Sequence, residues 1–266
     1  MTAPFRLRQG RTPLIISMPH VGHEIPEDQQ SRYVPRALAS EDTDWHLERL
    51  YGAIAEELGA SLIVPRYSRY LIDLNRPPED TPMYPGASNT ELCPTRFFTG
   101  EPLYQDGQAP DAAEKDRRRQ HYWLPYHRAL TAEMNRVKSL HGFALLFDAH
   151  SIRSELPWLF EGRLPDLNLG TAEGRSCDAA ITASLGAVQA AQQDYTQVVN
   201  GRFKGGFITR HYGQPAQGWH AVQLEMCQSC YMSETPPYAY DEALAARVQP
   251  LLRSLLTTYL QWKPAA

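Results

Sequence analysis

Three short apolar segments of the chain each lead to a residue of the kind that binds metals or transfers protons. The segments cover residues 14–18, 143–147 and 219–224, and they lead to His20, His150 and Glu225. Apolar runs of this length that are rich in β-branched residues predict buried strands. In open α/β sheets, ligands bind beyond the carboxyl ends of the strands. The pattern therefore predicts a sheet edge that carries two histidines and a carboxylate, the set that a catalytic zinc centre requires.

Segments with helical periodicity alternate with these strands. Four segments have apolar side chains at helical spacing: 43–58, 113–140, 175–192 and 240–262. Proline should break or kink the second and the fourth, at Pro125 and Pro250. Four shorter segments are predicted to be extended: 61–65, 70–74, 197–199 and 207–209. The alternation favours a single three-layer α/β/α domain over residues 1–266, with a mixed, mostly parallel sheet.

A long segment without clear periodicity, residues 77–112, is rich in Pro, Gly, Thr and Asp. Loops of this length inside compact domains are usually functional or disordered. This one contains four aromatic residues, which are Tyr84, Phe97, Phe98 and Tyr104. We therefore expect a packed loop that covers a site.

Composition and charge exclude several classes of protein. The net charge of -4 gives no general attraction to nucleic acid or to an anionic membrane. No apolar stretch approaches the ~20 residues of a membrane span, and the N-terminus lacks the apolar region of a signal peptide. Four cysteines are too few for a disulfide framework, and the C-x-x-C pair Cys227 and Cys230 is interpreted as two small, partly buried residues. A cytoplasmic protein is predicted, and its oligomeric state stays open.

The two histidines are the main candidates for metal ligands. Asp148 lies two residues before His150, on the same face of the predicted strand, where its carboxylate could fix the tautomer of the histidine. A hydrolytic zinc site needs three protein ligands and an open position for water. Asp42 is suited to capping the next helix. The spacing alone leaves three candidates for the third ligand: Asp44, His23 and Glu24.

Glu225 and two groups of arginines could supply the remaining chemistry. A carboxylate beside a metal-activated water is the usual general base of zinc hydrolases, and Glu225 is the candidate for this role. Arg69 and Arg76 flank an apolar extended run, and Arg202 and Arg210 lie in or near a glycine-rich loop. Arginine suits bidentate recognition of carboxylates. In a net acidic chain, these clusters predict a small dianionic substrate.

An ordered series of motifs runs along nearly the whole chain. Its main members are Pro19-His20-Val21-Gly22, Asp42-Thr43-Asp44-Trp45-His46, Ile72-Asp73-Leu74-Asn75-Arg76, Asp148-Ala149-His150-Ser151, Asn200-Gly201-Arg202-Phe203-Lys204-Gly205-Gly206 and Gln223-Leu224-Glu225. Together they resemble the N-formylglutamate amidohydrolase (N-formylglutamate deformylase) family of histidine degradation. The resemblance extends from about Pro13 to Met232, and so many matches in order make it specific.

The resemblance implies a phosphorylase/hydrolase-like fold, similar to that of zinc carboxypeptidases, with one zinc ion per chain. In those relatives an H-x-x-E pair supplies two ligands, but the matching position after His20 is His23. This departure favours Asp44 as the ligand that completes the set with His20 and His150. The run Asp73-Leu74-Asn75-Arg76 also resembles a motif of the aspartoacylases, which implies that Asn75 and Arg76 hold a substrate carboxylate.

The implied reaction is hydrolysis of N-formyl-L-glutamate to L-glutamate and formate. Glu225 would take a proton from the water and deliver it to the leaving amine, while zinc and Arg69 would stabilise the oxyanion. Arg202 and Arg210 would help Arg76 to bind the two carboxylates. Two alternatives stay open: deacylation of another N-acylated acidic amino acid such as N-formylaspartate, and non-catalytic binding of an acidic metabolite.

Overall fold

The computed structural model describes residues 3–82 and 90–264. Within them, seven strands form one sheet: β1 (Phe5–Arg8), β2 (Leu14–Ser17), β3 (Ser61–Pro65), β4 (Ala144–Ile152), β5 (Leu167–Gly170), β6 (Gln197–Val199) and β7 (Trp219–Cys227). Their order across the sheet is β1-β3-β2-β4-β7-β5-β6. Neighbouring strands are parallel except in the pairs β1/β3 and β5/β7. The predicted mixed, mostly parallel sheet is confirmed.

Helices cover both faces of this sheet. In the described part of the chain they are α1 (Glu27–Gln30), α2 (Leu47–Glu57), α3 (Ala112–Arg118), α4 (Leu124–His141), α5 (Ala179–Ala190), α6 (Phe207–Tyr212) and α7 (Glu242–Gln261). Buried side chains of α2, α5 and α7 pack on one face, and those of α4 and α6 pack on the other. The predicted α/β/α layering is therefore confirmed. Among these helices, none is long and apolar enough to cross a membrane.

The three central strands β2, β4 and β7 deliver the functional candidates to one edge of the sheet. β4 is parallel to both of its neighbours, and His150 pairs in register with Glu225. His20 follows the end of β2 by three residues. Because parallel strands have their carboxyl ends on the same side, these side chains meet beyond one edge. β4 is buried along its whole length, which explains its continuous apolar run.

Two segments predicted to be extended have another structure. Residues 70–74 form turns, and residues 207–209 belong to α6. Asn75 explains why residues 207–209 are helical and not extended. Its side-chain Oδ1 accepts a hydrogen bond from the backbone N–H of Ile208 at 2.7 Å and so caps the helix from a distant segment. The short strands β1 and β5 were not predicted, since four residues carry too little periodic signal.

The helix predicted at 43–58 begins only at Leu47. Its N-cap is His46 rather than Asp42, because residues 42–44 turn toward the carboxyl edge of the sheet and are buried there.

The two prolines differ in their effects. The interruption predicted at Pro125 is confirmed, because this residue lies in the first turn of α4, directly after a π-helical segment over residues 119–123 that separates α3 from α4. Pro250 lies inside α7, and that helix continues past it. The predicted interruption there is wrong, because buried side chains such as Val248 and Leu252 hold both halves of α7 against the sheet.

Candidate metal centre and active-site cavity

His20, Asp44 and His150 meet at the carboxyl-end edge of the sheet, where His20 follows β2 and His150 lies two residues before the end of β4. One ligand atom from each lies within 4.8 Å of the others, and all three side chains are buried. Nδ1 of His150 is 3.2 Å from Nδ1 of His20 and 3.2 Å from Oδ2 of Asp44. The structure thus brings together the three residues predicted as metal ligands.

The second nitrogen of each histidine faces a buried carboxylate. Nε2 of His20 is 2.7 Å from Oδ1 of Asp73, and Nε2 of His150 is 2.8 Å from Oδ2 of Asp148. A proton on each Nε2 leaves both Nδ1 lone pairs directed at the common centre. Oδ1 of Asp44 is also buried, and it has no hydrogen-bond partner. Acceptor atoms that converge in this way fit a metal ion.

The charges around the cluster act differently on the two histidines. Burial and the neighbouring Arg69 lower the pKa of His20. Burial also acts to lower the pKa of His150, but Asp148 and Asp44 outweigh it and raise that pKa well above its ordinary value. A metal ion at this position would displace the proton of His150, since a ligand nitrogen must be unprotonated.

The rivals of Asp44 lie elsewhere. His23 is exposed, and its ring packs against Trp45 with 5.7 Å between the ring centroids. Glu24 forms an ion pair with Arg66 at 2.6 Å. Asp42 is buried, and it accepts hydrogen bonds from the Tyr70 hydroxyl and the Phe98 backbone N–H. The structure therefore does not bring His23 or Glu24 to the histidines.

Glu225 and Arg69 face the same cavity as the two histidines. Burial raises the pKa of Glu225 to about 8. A nearby positive charge favours the ionised carboxylate, so an ion in the cluster would help Glu225 to act as a base at neutral pH. Arg69 donates to Oδ2 of Asp73 at 2.8 Å, and its Nη1 lies 3.8 Å from Oδ1 of Asp44.

The cavity has a volume of about 310 Å³ and a positively charged lining. Four cationic side chains contribute to its wall: Arg69, Arg76, Arg202 and Lys204. Apolar side chains complete it: Phe98, Ile152, Leu159, Phe160 and Phe203. Of the aromatic residues in the predicted covering loop, Phe98 lines this cavity, Phe97 and Tyr104 pack in a separate cluster, and Tyr84 lies outside the described residues.

Two residues predicted to bind substrate have other contacts. Arg210 does not line this cavity; it lies on α6, lines a separate depression with Arg175, and donates from Nε to the Gly205 carbonyl at 2.8 Å. Asn75 lines the cavity, but its side-chain amide is engaged in contacts with other residues of the protein. Its Oδ1 accepts from Ile208, and its Nδ2 lies 3.0 Å from Nε2 of His150.

Sequence reasoning gave no role to Asp73 or Gln223. Asp73 orients both His20 and Arg69. Gln223 accepts a hydrogen bond from the Gly206 backbone N–H at 2.7 Å and lies 3.4 Å from Oε2 of Glu225. The signal for Gln223 was its position two residues before Glu225, which places both on one face of β7. For Asp73, the signal was its place in the same motif as Asn75.

If the cluster binds a metal ion such as zinc, Asp148→Asn is expected to weaken that binding by about 10- to 100-fold, because an outer partner fixes the tautomer and orientation of a ligand histidine. Affinity would be measured by competition with a chelating indicator. Ser17→Ala is the control, since Ser17 donates to the other oxygen of Asp148 and leaves the contact with His150 intact. Equal zinc affinity in both variants would contradict the orienting role of Asp148.

Comparisons with known proteins give consistent results. A family model described as N-formylglutamate amidohydrolase matches residues 12–232. N-formylglutamate deformylase from Pseudomonas aeruginosa is 53% identical over 255 residues, which cover 96% of this chain and 95% of that protein. The protein of the same description from Pseudomonas putida is 50% identical over 254 residues, 96% and 94% of the two chains. The solved structure of N-formylglutamate amidohydrolase from Ralstonia eutropha matches with a TM-score of 0.79 and 25% identity, over 98% and 97% of the chains.

Proposed function

The chain belongs to the N-formylglutamate amidohydrolase family, and from this membership we propose that it hydrolyses N-formyl-L-glutamate to L-glutamate and formate. One observation carries the proposal: a buried cluster of two histidines and an aspartate opens into the same cavity as a buried glutamate and several arginines. We also propose that residues 1–266 act as a single catalytic domain.

We propose that His20, Asp44 and His150 hold one zinc ion per chain. The support is the convergence of their acceptor atoms and the buried Oδ1 of Asp44, which accepts no hydrogen bond. A zinc ion held there would supply Lewis-acid chemistry, acidifying the attacking water and polarising the amide carbonyl. Asp73 and Asp148 would keep the two ligand rings in the required tautomer and orientation.

Glu225 is the proposed general base and acid. Its carboxylate takes a proton from the attacking water and delivers it to the nitrogen of the glutamate product as the C–N bond breaks. Gln223, 3.4 Å from Oε2 of Glu225, helps to orient the carboxylate. Arg69 is proposed to donate to the carbonyl oxygen as negative charge develops, and its bond to Asp73 fixes the guanidinium in advance.

Two arginines are proposed to bind the carboxylates of the substrate. Arg76 donates to neutral acceptors, the Thr90 hydroxyl at 2.6 Å and the Asn75 carbonyl at 3.0 Å. Arg202 donates to the Leu159 carbonyl at 2.5 Å. Because the acceptors of Arg76 are neutral, its guanidinium group keeps a charge with which to attract a carboxylate, and Arg202 lines the same cavity. Asn75 is proposed to act mainly by positioning, since its amide already contacts Ile208 and His150.

The direct test is formate release by the purified protein. With zinc added, N-formyl-L-glutamate should yield equal amounts of formate and L-glutamate, and N-formylaspartate should be a poorer substrate. A chelator should abolish the reaction, and zinc should restore it. Binding of N-formylglutamate without turnover in the zinc-loaded protein would instead support a non-catalytic binding protein.

The arginines should differ in their effect on activity. Arg76→Ala is expected to lower kcat/KM for N-formylglutamate. The loss corresponds to roughly 2–5 kcal/mol of transition-state binding, because the substitution removes the charged partner of a substrate carboxylate. Arg202 is exposed, so Arg202→Ala should cost on the order of tenfold or less. Steady-state kinetics would measure both effects. Comparable turnover of N-formylmethionine and N-formylglutamate by the unaltered protein would contradict a pocket for two carboxylates.

A cytoplasmic location is proposed as well. The support is that all four cysteines are buried, unpaired thiols, which is typical of proteins from reducing compartments.

A further inference from the structure

The loop formed by residues 200–206 carries a second cation, Lys204, into the wall of the cavity. Its Nζ lies 2.6 Å from Oε1 of Glu173, a residue that does not line the cavity. The two side chains of this pair are 39% and 51% exposed. Because exposed ion pairs contribute little to stability, Glu173 holds the ammonium group only weakly.

Glu173 has further cationic neighbours. Nη2 of Arg175 lies 3.4 Å from Oε2 of Glu173. Lys204 first, and then Arg175 and Arg210, hold the pKa of Glu173 below its ordinary value. If Lys204 leaves, the carboxylate therefore keeps a positively charged neighbour. When Lys204 leaves Glu173 to bind another carboxylate, Glu173 is therefore not left as a buried, unpaired charge.

The backbone around Lys204 is fixed, so a change of partner has to come from the side chain. The Lys204 carbonyl accepts a hydrogen bond from the Ala172 backbone N–H at 2.6 Å, and the Gly206 N–H donates to Gln223 at 2.7 Å. A Cβ atom at Gly170 would lie only 2.6 Å from the Gly205 nitrogen, so this end of β5 packs directly on the loop. The four-carbon stem of lysine can still rotate its three donors from one acceptor to another.

We propose that Lys204 determines substrate specificity: its ammonium group leaves Glu173 and, together with Arg202, binds the substrate carboxylate that is farther from the scissile amide. Arg76 follows Asn75, which contacts His150, so Arg76 is on the side of the metal cluster and serves the nearer carboxylate. Lys204 starts from an ion pair whose side chains are 39% and 51% exposed, whereas the cluster of His20, Asp44 and His150 is buried. The carboxylate farther from the scissile amide is the one that would reach toward solvent and meet this lysine. This assignment rests on the proposed hydrolysis of N-formylglutamate.

Two substitutions at the ion pair should have opposite effects. Lys204→Met is expected to raise KM for N-formylglutamate roughly 10- to 100-fold, the range for loss of a hydrogen bond to a charged group, with kcat little changed. Glu173→Gln should lower KM by about two- to fivefold, because the competing partner of the lysine is removed. A pair that only stabilised the loop would give damage, or no effect, in both variants.

Two controls complete the experiment. Lys263→Met removes the same charge from an exposed lysine that stacks on Phe143, and it should leave KM unchanged. With N-formylglutamine, which lacks the distal carboxylate, Lys204→Met should have little effect relative to the unaltered protein. An unchanged KM for N-formylglutamate, or an equal penalty with N-formylglutamine, would overturn the role of Lys204 while the hydrolase function stands. Absence of formate release by the unaltered zinc-loaded protein would overturn the proposed function and this assignment with it.

Discussion

Glu225→Gln is expected to lower kcat by about 10²- to 10⁴-fold, because Glu225 is the proposed general base, a positioned base contributes that much, and an amide cannot accept the proton of the water. The side chain keeps its size and can still contact Gln223, so KM and zinc content should change little. Single-turnover measurements with N-formylglutamate would confirm that the loss lies in the chemical step. Zinc content would be measured in the same samples.

The matched control for this variant is Glu161→Gln, which replaces an exposed glutamate outside the cavity and should keep full activity. The burial of Glu225 makes the experiment informative, since the substitution removes a charge that burial alone disfavours. The fold should therefore be retained. A kcat near that of the unaltered protein would exclude Glu225 as the base.

Asp44→Ala is expected to reduce zinc affinity by about 100-fold or more, a larger loss than that caused by removing an outer partner of a ligand. Activity should fall in parallel at limiting zinc. His23→Ala and Glu24→Ala should keep both zinc and activity, because one side chain packs on Trp45 and the other pairs with Arg66. Calorimetric titration of the metal-free proteins with zinc would measure all three affinities.

Asp44 also accepts a hydrogen bond from the Ser151 backbone N–H at 3.2 Å, so alanine could disturb the loop after β4. Asp44→Asn keeps an acceptor for this bond but removes the negative charge. It should fold normally and still bind zinc poorly. The ligand set would have to be revised if Asp44→Asn kept normal zinc affinity while His23→Ala lost it.

The layers of the fold could be predicted because the central strands are buried on both faces. β4 and β7 appear in the sequence as apolar runs, and α2 and α4 have helical periodicity. α6 could not be predicted, since its first N–H groups are satisfied by Asn75 from a segment more than a hundred residues earlier. The residues near 207–212 in sequence give no indication of a contact with Asn75.

The candidate site was predictable where a side chain comes at the end of an apolar run. His20, His150 and Glu225 end predicted strands, and the parallel order of β2, β4 and β7 brings them together. Asp44 is different, because it does not follow a strand. A hydrogen bond from its backbone N–H to the His20 carbonyl, at 3.0 Å, holds this segment beside the histidines. Only the resemblance to the family favoured it. Arg210 was misplaced because residues 207–212 form a helix, which carries it to a separate depression.

The side-chain amide of Asn75 contacts both His150 and the first turn of α6. One end of the amide contacts His150 in the candidate metal site, and the other caps α6, which follows directly on the loop of residues 200–206. Insertions or deletions in that loop would therefore change the position of the proposed ligand His150 as well as the proposed carboxylate pocket. Family members that evolve toward other acyl amino acids should accordingly vary the side chains at positions such as 202 and 204, and keep the length of the loop constant.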